Sequence, residues 1–267
     1  MGSSLDVVPI PVLFVLTILL GQASIEIGRW VGHRRGEKEN QGPVGASVGA
    51  TLGLLAFILA FTFGMAASRF DARREMVLED ANAIGTTYLR AQLLSEPTSS
   101  EIRSMLREYV DVRLNAAASP QGAKGAVERS EQLQNQMWAA TVALVARQQG
   151  NLGAAGPFIN SLNELIDVHA KRVAAVRNRI PNAIWFFLFL TAAIGMMSMG
   201  YQAGLTESRR RSIAVATLAV AFSAVMMLIV QLDRPQGFLR VSQQPMADVQ
   251  RSMQADVKNM TPPAPSP

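Results

Sequence analysis

Residues Leu55–Arg90 read LAFILAFTFGMAASRFDARREMVLEDANAIGTTYLR, a membrane-grade apolar run that turns into a charged helical pattern with no proline and no turn signal at the join. Phe70, Val77, Ala81, Ile84 and Tyr88 follow at spacings of seven, four, three and four, which is one face of a helix rather than a strand. No proline occurs from Val44 to Leu94. About 50 helical residues would reach about 75 Å, more than twice the hydrocarbon thickness of a bilayer. The stretch therefore predicts a helix that leaves a membrane and continues into water to about Leu94. Such a strut couples a membrane part to a water-exposed part mechanically, or simply saves a turn; the pattern serves both readings.

Working outward, the apolar residues of the 267-residue chain are clumped, although 17% of its residues are charged. That distribution points to a membrane protein with a soluble insert. Four segments are long enough to span: roughly 9–27, 43–67, 183–201 and 213–232. The first has Gln22 and Glu26 as its strongly polar members, and the other three are free of charge until their ends. The N-terminal segment carries Asp6 and no basic residue ahead of its apolar run, so it reads as an uncleaved first helix rather than a secretory signal. Zero cysteines and two histidines leave neither a disulfide framework nor a thiolate or zinc centre, and we expect no metal and no cofactor. The net charge of +5 comes without aromatic residues interleaved in a basic stripe, which sets nucleic acid aside.

The residues between the second and third spans all read as helix. Ser95-Glu96-Pro97 stops the long helix, and Thr98 with Glu101 reads as a capping box for the next, which carries Ile102, Met105, Leu106, Tyr109 and Val112 on one side. The loop around residue 120, AASPQGAKG, is the most flexible-looking point of the insert. A helix with Leu133, Met137, Val142 and Val145 follows, then a break at GNLGAAGP. The last insert helix starts near Pro157, shows Ile159, Leu162, Ile166, His169, Val173 and Val176 on one face, and meets the third span at Ile180-Pro181. The organisation is thus spans one and two in residues 1–67, a helical extramembrane insert in 68–181, spans three and four in 182–233, and a C-terminal tail in 234–267 that ends in proline-rich MTPPAPSP.

Within the second span, Gly45, Gly49 and Gly53 recur at spacings of four, and Ala56, Ala60 and Gly64 extend the small-residue stripe. Small stripes let helix backbones approach closely in lipid, against either other spans of the same subunit or a neighbouring subunit. Phe57 and Phe61 lie one turn apart beside it. Around a central axis they would form a hydrophobic constriction of the kind that gates by dewetting; taken alone, they also suit lipid or core. Arg69, Arg73 and Arg74, mixed with Asp71 and Glu75, read as a basic pore mouth or as a solvated charged face. Gln22 should face protein, because a polar group in lipid needs a partner. His169, near Glu164 and Asp167, reads as a structural histidine, and no phosphate loop, nucleophile elbow or HExxH pattern is present. We expect no enzyme.

Both short loops are basic: Arg29, Arg34, Arg35 and Lys38 in one, Arg209, Arg210 and Arg211 in the other. The positive-inside rule puts them in the cytoplasm and the insert outside, although the insert's flanks carry Arg69, Arg73, Arg74, Lys171, Arg172, Arg177 and Arg179.

Three motifs, RFDARREMVLEDANAIGTTYLR (69–90), NELIDVHAKRVAAVRNRIPNAIW (163–185) and LDRPQGFLRVSQQPM (232–246), resemble the bestrophin-like family of bacterial membrane proteins, over nearly the whole chain from about Gly42 to Met246. That family is distantly similar to bestrophins, which are pentameric anion channels with four spans per subunit, a phenylalanine-lined neck on the second span and a helical cytoplasmic domain. The resemblance implies an all-α integral membrane protein of the bacterial inner membrane, with the lipid bilayer, copies of itself (a pentamer) and inorganic ions as partners. It implies an anion-preferring channel with Phe57 and Phe61 at the neck. Two features depart from the bestrophin pattern: the short-loop charges invert its orientation, and no acidic cluster resembles a calcium clasp. The rival expectation is a sensory or scaffolding protein whose insert binds a ligand or partner.

Overall fold

The computed structural model describes residues 8–35, 41–147, 153, 155–205, 209–234 and 239–260. Asp6, Lys38, most of the Gly150–Gly156 loop and the proline-rich tail beyond 260 lie outside the described residues, as do the side chains of Arg35, Arg209, Arg210 and Arg211. Among the described residues every regular element is helical: α1 (Ile10–Arg35), α2 (Gln41–Ala91), α3 (Thr98–Ala118), α4 (Pro120–Ala123), α5 (Ala126–Arg147), α6 (Ala155–Arg177), α7 (Asn182–Gly204), α8 (Arg209–Asp233) and α9 (Gln244–Met260). Helix α2 is unbroken, and the N–H groups of Gln92, Leu93 and Leu94 carry the chain on in tighter turns by bonding the Leu89, Arg90 and Ala91 carbonyls.

The chain divides into two compact units. The first takes the described residues to Asp71 together with Arg177–Arg240, and the second Ala72–Val176 with the described residues from Val241 onward. Among the described residues, Ile10–Arg34 of the first unit and Val44–Ala91, whose residues up to Asp71 belong to the first unit and the rest to the second, are long and apolar enough to cross a membrane. So is the stretch Ala155–Gly204, whose apolar part is α7, while α6 carries Glu164, Asp167, Lys171 and Arg172. Thr217–Asp233 of α8 is a shorter apolar helix.

The close packing of the first unit falls on a pair of glycine stripes that the sequence pattern did not single out. A Cβ on Gly28 of α1 would lie 2.0 Å from the Met197 carbonyl oxygen of α7, and one on Gly200 of α7 would lie 2.1 Å from the Ile25 carbonyl oxygen of α1. Gly32 and Gly204 repeat the arrangement one turn on, at 2.4 Å from Tyr201 O and 2.5 Å from Arg29 O. Each helix thus offers two glycines four apart, and the backbones approach closely enough to exclude any side chain. By contrast a Cβ on Gly49, Gly53 or Gly64 of α2 would meet no described residue beyond its own helix within 4 Å, and one on Gly45 would meet the Gln202 side chain at 3.1 Å.

The second unit has a core of Ile84, Tyr88, Ile102, Leu106, Tyr109, Leu133, Met137, Phe158, Leu162 and Leu165. The expected faces of α2 and α3 hold, with two local differences farther on. Val142 is 54% exposed, and Thr141 and Leu144 take the inward positions, because these follow Met137 at spacings of four and three. Val176 is likewise exposed, at the end of α6. The Thr98–Glu101 capping box does not form. Thr98 is already helical and buried, so its hydroxyl cannot serve as the cap; instead the Glu96 carboxylate accepts the Ser100 N–H at 3.2 Å, and the Ser100 hydroxyl donates to Pro97 O at 2.8 Å. The loop around residue 120 contains α4, with Pro120 at its first position and the Ser119 hydroxyl accepting from Gly122 N–H at 3.0 Å. Part of the presumed tail is structural too, since α9 buries Met246 and Met253 in this core and its Asp256 accepts from the Tyr88 hydroxyl at 2.9 Å.

Candidate functional site

On α2, Leu55, Thr62 and Ala66 point into the first unit and are buried, while Phe57 and Phe61 are 69% and 62% exposed. Thr62 returns its hydroxyl to the Ile58 carbonyl at 2.7 Å, which satisfies it without a partner from another helix. The opposite face of the span therefore consists of Gly53, Ala56, Phe57, Ala60, Phe61 and Gly64, all exposed among the described residues. Bulky and small residues alternate there, which suits either close helix approach or a ring around an axis. Gln22 of α1 is half-buried.

The three arginines expected at the pore mouth are not placed alike. Arg69 leans on Asp233, with Nη1 4.0 Å from Oδ1 and its side chain 20% exposed. Arg73 is buried in the second unit, whereas its neighbour Arg74 is exposed. Asp233, at the end of α8, also accepts the Ile180 N–H at 3.1 Å and pairs with Arg179 at 3.8 Å. Arg234 donates to the Val8 carbonyl at 2.7 Å, tying the end of α8 to the start of α1.

A second charge cluster lies inside the second unit. Asp80 of α2 is fully buried, receives Arg172 of α6 at 2.5 Å and pairs with Arg113 of α3 at 3.4 Å. Arg172 also donates to Gln243 at 3.1 Å, and Arg113 donates to the Tyr109 hydroxyl at 2.8 Å. Gln134 of α5 donates to the same hydroxyl at 3.1 Å. His169 stands against this group rather than against Glu164 or Asp167, both of which are exposed. Its Nδ1 accepts from Arg113, so the ring is the neutral tautomer with its proton on Nε2, which lies 3.9 Å from the exposed Glu131.

Burial, reinforced by the Arg113 charge, holds the His169 imidazole down at about 4. Burial likewise pushes the Tyr109 phenol up to about 12, and it lowers the Arg172 guanidinium. Because His169 titrates near 4 when folded and near 6.5 when unfolded, the unfolded chain alone takes up a proton between those values. This group's share of stability is therefore complete above pH 6.5 and is lost as pH falls towards 4, up to about 3 kcal/mol. His169→Gln keeps an acceptor for Arg113 but cannot be protonated, so its thermal unfolding should depend less on pH between 6.5 and 4.5 than that of the parent. Equal slopes would remove His169 as the cause.

Asp80, Arg113, Arg172, Arg179 and Asp233 were missed as site residues, although a signal existed. Asp80 interrupts the Val77–Ala81–Ile84 apolar register, Arg113 follows Ile102, Leu106 and Tyr109 at the next inward position, and Arg172 is one turn from His169. The three long motifs now have a shared physical reason. The first supplies Arg69 and Asp80, the second His169, Arg172, Arg179 and Ile180, and the third Asp233, Arg234 and Gln243, so each cluster draws on all three motifs.

The fold is that of several solved structures. A bacterial bestrophin homologue from Klebsiella pneumoniae solved by zinc phasing matches with a TM-score of 0.67 at 15% identity, over 95% of this chain and 100% of that one. A single-substitution variant of the Klebsiella protein matches with a TM-score of 0.68 at 14% identity, over 92% and 98% of the two chains. No curated protein matches the chain significantly. The bestrophin-like domain model matches residues 12–246, from the first turn of α1 to the start of α9, so the membrane protein whose spans and charge clusters are described above belongs to the bestrophin-like family.

Proposed function

We propose that the chain is one subunit of an oligomeric, anion-preferring ion channel of the bacterial inner membrane, with α2 lining the pore and Phe57 and Phe61 forming its constriction. The observation that carries the reading is the exposed face of α2. A span that buries Leu55, Thr62 and Ala66 against its own chain leaves two phenylalanines and three open glycines for a neighbouring copy or a central axis. A ring of such subunits, five by family resemblance, turns Phe57 and Phe61 into stacked apolar rings that exclude water until the pore widens. Anion preference rests on the resemblance to bestrophins alone.

The test is iodide flux into proteoliposomes. Phe57→Ala with Phe61→Ala should raise flux about tenfold, the effect of taking about 1.4 kcal/mol off the barrier. Unchanged flux through a conducting parent places the gate elsewhere, and cation flux that exceeds iodide flux removes the anion preference.

A further inference from the structure

Asp233 holds its partners unequally. The linker before α7 is fastened to it three times: by the Ile180 N–H at 3.1 Å, by Arg179 at 3.8 Å, and by Arg179 donating to the Asp233 backbone carbonyl. Among the described residues helix α2 is fastened to it once, by Arg69 at 4.0 Å, and Arg69 Nη1 is buried without a hydrogen bond to any of them. Two guanidinium groups compete for one carboxylate that is itself 4% exposed. A buried cation that attracts across 4 Å without a hydrogen bond recovers little of its desolvation cost, so this is the arm that releases first.

We propose that Asp233 is a positioning residue for the second span: it sets where α2 stands relative to α7 and α8, and the Arg69 contact is its releasable arm. Arg69 continues the inward-facing line of Leu55, Thr62 and Ala66 at the next helical position, so it anchors the face opposite Phe57 and Phe61. Eight residues of helix separate Phe61 from Arg69, about 12 Å along the axis. A continuous helix passes movement at one end over that distance as a rigid element, with shifts of about 1–2 Å typical of packed helices. The effect on flux rests on the pore reading above; the effect on helix position does not.

The chain has no cysteine, so two introduced ones are unique. Ser68 on α2 and Asn182 at the start of α7 are both exposed. Spin labels at Ser68→Cys and Asn182→Cys, with labelled chains diluted into unlabelled ones, report the distance between the two helices within one copy. Arg69→Gln should broaden that distribution and shift it by about 1–2 Å, and change iodide flux about fivefold or more. Arg69→Lys, which keeps the charge, should leave both near the parent's values. Asp233→Asn, which keeps an acceptor for Ile180, should shift the distance in the same direction as Arg69→Gln. A distribution for Arg69→Gln that superimposes on the parent's, in protein of unchanged melting temperature and assembled mass, overturns the proposal. Labels that move while iodide flux stays flat uphold the positioning role and sink the pore reading instead.

Discussion

Asp80→Ala should cost the helical unit about 3–5 kcal/mol, the usual penalty for stranding buried charge. Asp80 is completely buried, and its carboxylate is the anion shared by Arg113 and Arg172, which are themselves nearly buried. Without it, two guanidinium groups face each other in a low-dielectric interior, with Tyr109, His169 and Gln243 as their acceptors among the described residues. Stabilities of about 5–15 kcal/mol leave little to absorb such a loss. Asp80→Asn should cost nearly as much, because it preserves shape and removes charge. Replacing all three members together, as Asp80→Leu, Arg113→Met and Arg172→Leu, should recover most of the stability, since apolar side chains need no desolvation. Denaturant unfolding followed by helical circular dichroism in detergent measures each variant. A loss below about 1 kcal/mol for Asp80→Ala would mean that water already reaches the cluster.

Gly28→Leu should separate α1 from α7, and even Gly28→Ala should cost at least the upper part of the roughly 1–3 kcal/mol typical of overpacking. The added Cβ would stand 2.0 Å from the Met197 carbonyl oxygen and 2.8 Å from the Tyr201 nitrogen, both backbone atoms that no rotamer change can move. The helices must part, which forfeits the reciprocal contact at Gly200 as well. Gly53→Ala is the informative control, since the added Cβ would meet no described residue beyond its own helix within 4 Å. Its melting temperature should match the parent's, while a drop in assembled mass would locate a neighbouring copy on that face. A Gly28→Ala protein as stable as the parent would contradict the close approach of α1 and α7.

The helices and their approximate ends were legible in the chain because helix formation is local. Uncharged runs of membrane length, the spacing of Val77, Ala81, Ile84 and Tyr88, and the absence of proline between Val44 and Leu94 act through neighbours within a turn or two. The three motifs around residues 69–90, 163–185 and 232–246 carried the family for the same reason: they are contiguous. What depended on distant partners was not legible. Glycines at spacings of four occur in α1, α2 and α7 alike, yet those of α1 and α7 meet each other's backbone, while Gly49, Gly53 and Gly64 of α2 leave room for a Cβ among the described residues. The arginine run from Arg69 to Arg74 looks uniform, but one member finds Asp233, one is buried and one is exposed, because each step along a helix turns the side chain by about 100° onto a different neighbour. His169 kept its structural role, with partners drawn from α3 and α5 rather than from the acidic residues beside it in sequence. By itself the sequence determined the long helices as far as α8 and which runs suit a membrane, while α4 and α9 lay in stretches that read as loop and tail. Only the tertiary structure decided which charges share a carboxylate and which glycines exclude a side chain, since both depend on the identity of atoms brought within about 4 Å from far along the chain.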